Sequence, residues 1–322
     1  MNVRVLSRAD VLSLIAMDDA IDIMARAFGE LSAGRAEMPA RVGLASGDGI
    51  SLFMPARLGA GGERGAKIVS VFAGNRARGM PCVNGVILML DDETGLPAAL
   101  IDAGELTAIR TAAAAGLAAR LLSRPGSRVL TVFGAGALAP RQIEAVRAVR
   151  PVEEVRVVSK GGESARMLAS SLEGVDARAV ANPAEAVDGA DVIVAVTTSV
   201  TPVFDGAGLA AGTHVSGSGS FAADAREIGG EVVARARVVV EEREAALEEA
   251  GDLVIPIREG LVRPDVIDAD LGEIVNGRAP AGSGGRDLTF FKSVGTAVQD
   301  VAIGAEVLRR AEAEGVGRVV EV

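Results

Sequence analysis

The hydrophobic and polar positions along the chain change rhythm near residue 128. Within residues 10–33, Met17, Ile21, Met24, Phe28 and Leu31 recur at spacings of four, three, four and three, which sets them on one face of an α-helix. Ser32, Ala33 and Gly34 end it. Residues 41–44 and 51–54 read as short strands joined by a turn at Gly47-Asp48-Gly49. Residues 66–72 form another strand, with Lys67 inside an otherwise apolar run. By itself such a lysine reads as one that carries its charge out to a surface. Residues 83–90 and 97–102, with a turn over 91–95, complete a meander. Several strands close in sequence after one helix predict an α+β portion built on an antiparallel sheet.

Residues 104–123 then make an Ala-rich helix with Arg110 among small residues. There it is either a solvated helical arginine or a guanidinium that something can approach. After it, short apolar strands are predicted at 128–133, 154–158, 177–180, 191–196, 213–216 and 237–240, with mainly helical segments between several of them. That alternation indicates a parallel, doubly wound sheet. Residues 242–259 read as one helix followed by a strand-like or loop piece, 279–285 as a mobile loop, and 288–315 as a strand turning into a long helix.

The chemistry starts at residues 129–146, VLTVFGAGALAPRQIEAV. A strand precedes Gly134-Ala135-Gly136-Ala137-Leu138-Ala139 and a helix follows it, the context in which G-x-G-x-x-A binds a dinucleotide. Gly134 allows the tight turn, Gly136 lets a pyrophosphate approach the backbone, and the helix N-terminus faces the anion. An ordinary strand-to-helix turn is the alternative. The next strand ends at Ser159-Lys160, where an NAD site carries an acidic residue for the ribose hydroxyl. A hydroxyl and a cation there favour a 2′-phosphate, hence NADP(H), while nearby Glu163 keeps NAD(H) open.

Composition narrows the field. The 322 residues suffice for two domains or one large one, and 49% of them are hydrophobic, with no Trp or Tyr. No apolar run is long enough to span a bilayer, and the first residues lack a signal-peptide pattern, so a cytoplasmic protein is expected. A net charge of −10 argues against a nucleic-acid surface. The single cysteine, Cys82, excludes an internal disulfide, and the single histidine, His214, excludes a His-rich metal site. His214 opens a strand and reads as structural. Acid–base work therefore falls mainly to Lys, Asp, Glu or water, and no metal is expected.

Several blocks, in one order, resemble the ornithine cyclodeaminase/mu-crystallin family. They are MPAR (38–41), GAKIVSVFAGN (65–75), LTAIRTAAAAGLAA (106–119), FGAGALAPRQIEA (133–145), ADVIVAVTTSVTPVF (190–204), GTHVSGSGSF (212–221), AREI (225–228), EAGDL (249–253) and LTFFKSVG (288–295). The resemblance implies a homodimer. A substrate-binding and dimerisation domain would comprise residues 1–116 plus 293–322, with a Rossmann domain over 117–292 inserted into it. It makes Arg41 and Arg110 a clamp for a substrate carboxylate and puts Lys67 beside the reacting carbon. A planar guanidinium suits a carboxylate for a physical reason, the match of two parallel N–H donors to two oxygens. It adds Thr111, Thr197, Thr198, Ser199, Ser218, Gly219, Lys292 and Gly295 to the glycine turn and Ser159-Lys160 as cofactor contacts.

The family holds ornithine cyclodeaminases, alanine dehydrogenases, ketimine reductases and cyclic-imine reductases. Phe221 stands where cyclodeaminases carry an aspartate for the substrate's amino groups, and Asp224 replaces it only if the loop differs. The resemblance therefore implies NAD(P)H-dependent reduction of a small α-imino acid, such as Δ1-pyrroline-2-carboxylate. Ornithine cyclodeamination, alanine-type dehydrogenation and non-catalytic NADPH binding of the mu-crystallin kind remain the alternatives.

Overall fold

Two separate sheets underlie the change of rhythm. The computed structural model describes residues 1–59 and 61–322, and the chain divides into two units, Met1–Arg110 with Thr296–Val322, and Thr111–Gly295. The first begins with β1 (Asn2–Leu6), α1 (Arg8–Leu14), α2 (Met17–Ser32) and the short β2 (Ala36–Glu37). It continues through β3 (Val42–Ser46), β4 (Gly49–Leu58), β5 (Arg64–Phe72), β6 (Val83–Leu90) and β7 (Pro97–Asp102) into α3 (Ala103–Leu122).

The second unit contains β8 (Val129–Phe133), α4 (Ala139–Val149), β9 (Glu154–Val158), α5 (Glu163–Ser171), β10 (Asp176–Ala179) and α6 (Pro183–Val187). After β11 (Val192–Ala195) and β12 (His214–Gly217) come α7 (Gly230–Arg235), β13 (Ala236–Val240), α8 (Arg243–Glu249) and α9 (Gly251–Arg258). It closes with β14 (Ile267–Asp270), α10 (Leu271–Val275) and β15 (Leu288–Lys292). The chain then returns to the first unit as α11 (Ala297–Glu314) and β16 (Arg318–Glu321).

The first unit's sheet runs β16-β1-β7-β6-β5-β4-β2, with β3 also on β4. The predicted meander is there, antiparallel from β4 to β7, and the two chain ends extend it: β1 lies parallel to β7 and antiparallel to β16. Strand alternation sorts its faces. Leu6, Ile101, Ile87, Lys67 and Met54 are cross-strand partners in one row, and all are buried. Helix α11 packs on β4, β5 and β6 and against α2. The opposite face shows Val42, Phe53, Ile68 and Val86 in one row and Leu88, Leu100 and Val5 in the next.

All neighbours in the second sheet are parallel, in the order β10-β9-β8-β11-β12-β15-β13-β14. The strand order reverses between β8 and β11, the switch point at which such sheets take ligands. This is the Rossmann-type, doubly wound architecture that the strand–helix alternation predicts.

Three readings are corrected. Residues 10–33 form two helices, because a capping box starts α1 at Ser7 and Ile15 then turns extended (φ −133°, ψ 120°). The break lets Val11 and Leu14 bury in one piece and Met17, Ile21 and Met24 in the other. Residues 242–259 also make two helices, α8 and α9. A Cβ on Gly251 would meet the Ala225 carbonyl oxygen at 2.1 Å, so α9 starts hard against a neighbouring turn. The loop over 279–285 is tied down rather than loose: Arg237 Nη1 donates to the carbonyls of Pro280 and Gly282 (2.7 Å each), and Gly282 N–H to Leu121 (2.8 Å). Among the described residues no helix is long and apolar enough to cross a membrane.

Candidate functional site

Lys67 does not reach a surface. Alternation along β5 turns it inward with Gly65 and Val69, and its side chain is 2% exposed. A buried ammonium needs a counter-charge, and the first turn of α11 supplies it: Asp300 Oδ2 lies 2.7 Å from Lys67 Nζ. The same carboxylate accepts from Arg110 Nε through Oδ1 (3.1 Å), while Arg110 Nη1 donates to Gln299 Oε1 (2.9 Å). Gln299 also caps α11 by accepting the Thr296 N–H at 2.7 Å. One carboxylate, sitting at a helix N-terminus that favours negative charge, thus bridges the lysine and the arginine.

The charges do not balance. Burial lowers the Lys67 pKa from 10.5 to about 8, and Arg110 and Arg41 push the same way, against Asp300. Arg41, in the partly exposed segment before β3, is therefore near enough to act on the lysine. The fold gathers Lys67, Arg110 and Arg41 in the first unit, as an acid poised near neutral pH beside two guanidinium groups. Asp300 and Gln299 belong to the same cluster and were not singled out in the sequence. Their signal was a Gln-Asp pair inside the otherwise apolar helical run 297–305, a carboxylate that cannot bury without a cation.

In the second unit β8 ends in the glycine turn. Gly134 has φ +106°, and a Cβ on it would meet the Val196 carbonyl oxygen at 2.5 Å, so the turn and the loop after β11 touch. Around Gly136 a Cβ would meet open space among the described residues, and no side chain caps α4 at Leu138. Backbone N–H groups over Ala135, Ala137 and Leu138 thus border space at a helix start, which fits a pyrophosphate. Ser159 Oγ, after β9, accepts from Ala165 N–H (3.2 Å) and Ser164 Oγ (3.0 Å), while Lys160 is exposed. Arg166 of α5 adds a cation there, its Nη1 standing 3.3 Å from the Cβ position of Gly162.

The other residues expected to contact a cofactor fall into two kinds. Thr198 is exposed and Ser218 Oγ is buried with no protein partner among the described residues, whereas Ser199 is held in its own loop, its N–H donating to Thr197 Oγ1 (3.1 Å) and its Oγ to the Thr201 carbonyl (2.6 Å). Others are occupied by the protein itself. Thr197 and Gly219 donate to Glu227, Gly295 N–H donates to Glu241 Oε2 (2.7 Å), and Lys292 Nζ pairs with Asp252 at 2.7 Å. Thr111 is buried on α3. His214 is fully buried with Nδ1 2.8 Å from Thr289 Oγ1, and burial lowers its pKa to about 3, so it stays neutral. Phe221 is 44% exposed in the loop after β12, and Asp224 is exposed as well.

A glycine turn at the switch point of an all-parallel, doubly wound sheet places the second unit in the Rossmann class of dinucleotide-binding folds. The chain belongs to the ornithine cyclodeaminase/mu-crystallin family, whose model matches residues 1–315. It is 37% identical to a Δ1-pyrroline-2-carboxylate reductase of Bacillus cereus, over 98% of this chain and 99% of the relative. The structure of Thermococcus litoralis Δ1-pyrroline-2-carboxylate reductase, in complex with NADH and L-proline, matches with a TM-score of 0.95 at 35% identity, over 99% of this chain and 100% of that one. An archaeal alanine dehydrogenase dimer with bound NAD matches at 0.94 and 32%, over 100% of this chain and 99% of that one.

Proposed function

We propose that this chain is an NAD(P)H-dependent reductase of a small cyclic α-imino acid, with Δ1-pyrroline-2-carboxylate the first substrate to try. The observation that carries this reading is the buried Lys67–Asp300–Arg110 cluster, whose lysine has a pKa of about 8. Asp300 and Gln299 fix the plane of the Arg110 guanidinium, and its Nη2 edge together with Arg41 holds the substrate carboxylate. Lys67 gives its proton to the imine nitrogen. A reduced nicotinamide, when bound, supplies the hydride that the imine carbon takes up. The C=N bond thereby becomes CH–NH, and the proton lost by Lys67 returns from solvent.

The glycine turn over residues 134–138 holds the pyrophosphate, the loops over 197–199 and 218–219 serve the nicotinamide end, and Ser159 with Lys160 receives the adenosine ribose. Lys160 and Arg166, with no carboxylate at the end of β9, favour NADPH over NADH. The first unit carries the substrate clamp and pairs two copies of the chain through its open sheet face. Phe221, which can neither form a salt bridge with an ammonium nor activate water, argues against cyclodeamination.

The test is oxidation of NADPH and NADH, followed by absorbance, with Δ1-pyrroline-2-carboxylate, with pyruvate plus ammonia, and with ornithine in the absence of reductant. Imine-dependent oxidation is expected. Turnover of pyruvate and ammonia alone, proline formed from ornithine, or nucleotide binding with no turnover would each replace the reading. Lys67→Met should lower kcat about 10²- to 10⁴-fold, the usual worth of a general acid, without weakening nucleotide binding.

A further inference from the structure

A second buried charged group lies in the second unit. Glu227 is fully buried and accepts from four donors: Oε1 takes the Thr197 N–H (2.5 Å) and hydroxyl (2.7 Å), and Oε2 takes the N–H groups of Gly219 (2.7 Å) and Ser220 (3.1 Å). Those donors belong to the loops leaving β11 and β12, neighbours in the sheet. Behind it, Asp252 Oδ1 accepts from the N–H groups of Glu227 (2.7 Å) and Ile228 (2.8 Å). Its Oδ2 pairs with Lys292 Nζ at 2.7 Å, and Lys292, ending the adjacent β15, donates to the Ser220 carbonyl (2.7 Å). Three neighbouring parallel strands are tied together at their C-terminal ends.

The loops cannot hold this arrangement unaided. Residues 197–199 and 218–220 are small and polar, and they approach so closely that a Cβ on Gly219 would stand 2.3 Å from the Thr197 carbonyl oxygen. Their N–H groups converge and would be left unpaired in a buried place without an acceptor of full charge. From this geometry we infer that Glu227 is a positioning residue for the dinucleotide: it fixes both loops in the one arrangement that leaves Thr198 and Ser218 for the nicotinamide end. The inference rests on the reading of the chain as a nicotinamide-dependent enzyme.

Glu227→Gln tests it, because the amide keeps the size but turns N–H donors toward N–H donors, and only the Thr197 hydroxyl can rotate to accept. The expected result is a Kd for NADPH or NADH, by fluorescence titration, raised at least about tenfold. In the nucleotide-free variant, amide hydrogen exchange at Thr197, Gly219 and Ser220 should accelerate by a similar factor. At saturating nucleotide, kcat should fall far less than kcat/KM for the nucleotide. A folded variant with affinity within twofold of wild type, or with weakened binding but unchanged exchange at those three amides, overturns the inference. If Glu227→Gln does not fold, Thr197→Val removes a single donor and should weaken nucleotide binding severalfold; unchanged affinity there overturns it too. A wild-type chain that binds neither nucleotide overturns the functional reading itself, and the inference with it.

Discussion

At Lys67 three influences lower the pKa and one raises it, which makes Asp300 the handle on the proton donor. Burial, Arg110 and Arg41 favour the neutral amine, while Asp300 favours the ammonium. If the ammonium is the working form, activity falls as pH rises through about 8. Asp300→Asn should move that alkaline limb of kcat/KM to lower pH by about one to three units, the usual effect of one close opposite charge. An unmoved limb would mean that another group donates the proton. His214 supplies a contrasting case. Its pKa drops from 6.5 to about 3, so the unfolded chain binds the extra proton first and stability is lost as pH falls from 6.5 toward 3. His214→Gln should flatten that part of the Tm–pH curve, at roughly 1.4 kcal/mol for each pKa unit removed. In the sequence Lys67 stood out as a charge inside an otherwise apolar strand, although by itself it read as a surface lysine and only the family resemblance put it in the site. Asp300 did not, because helical periodicity shows that a carboxylate lies on a packed face without naming its partner on a strand more than two hundred residues earlier.

Within the β8–turn–α4 element the two glycines do different work, and substitution separates them. Gly134 has the left-handed φ of +106° and no room for a Cβ, so Gly134→Ala should cost stability on the order of 1–3 kcal/mol as well as nucleotide affinity. Gly136 has ordinary φ and open space beside it, so Gly136→Ala should leave the Tm of the nucleotide-free protein unchanged. Its methyl group would occupy the approach to the backbone and weaken NADPH binding about tenfold or more. Titration and thermal melts on both variants check this; equal nucleotide affinity for Gly136→Ala and wild type would move the pyrophosphate off the turn. Elements such as this were legible because strand, glycines and helix are adjacent in sequence. The break at Ile15 was not, since Met17, Ile21, Met24 and Phe28 keep one helical face and the capping box at Ser7 gives no sign of where its helix stops. β1 and β16 were missed for a related reason: they are short, and each is stabilised by a strand distant in sequence or at the other chain end.

Across the whole chain the repeating pattern shows where strands and helices lie, but not which sheet α11 covers, and that pairing is what delivers Asp300 to Lys67. Among the described residues it also leaves much of the far face of the first unit's sheet exposed. There Val42 (57% exposed), Val86 (41%), Val5 (40%), Phe53, Ile68 and Leu100 (36% each) form neighbouring cross-strand rows. A monomer seldom exposes contiguous aliphatic rows of this kind, and a second copy of the same face is self-complementary by two-fold symmetry. If that is how the chain is used, the wild type sediments as a dimer and its Tm rises with protein concentration, because dissociation and unfolding are linked. Replacing Ile68 and Val86 with lysine puts unpaired charges into the centre of the contact without touching the buried row of Lys67. The doubly substituted chain should sediment as a monomer with a concentration-independent Tm. A wild type that is monomeric at micromolar concentration, or a double variant that remains dimeric, would move the contact to another surface.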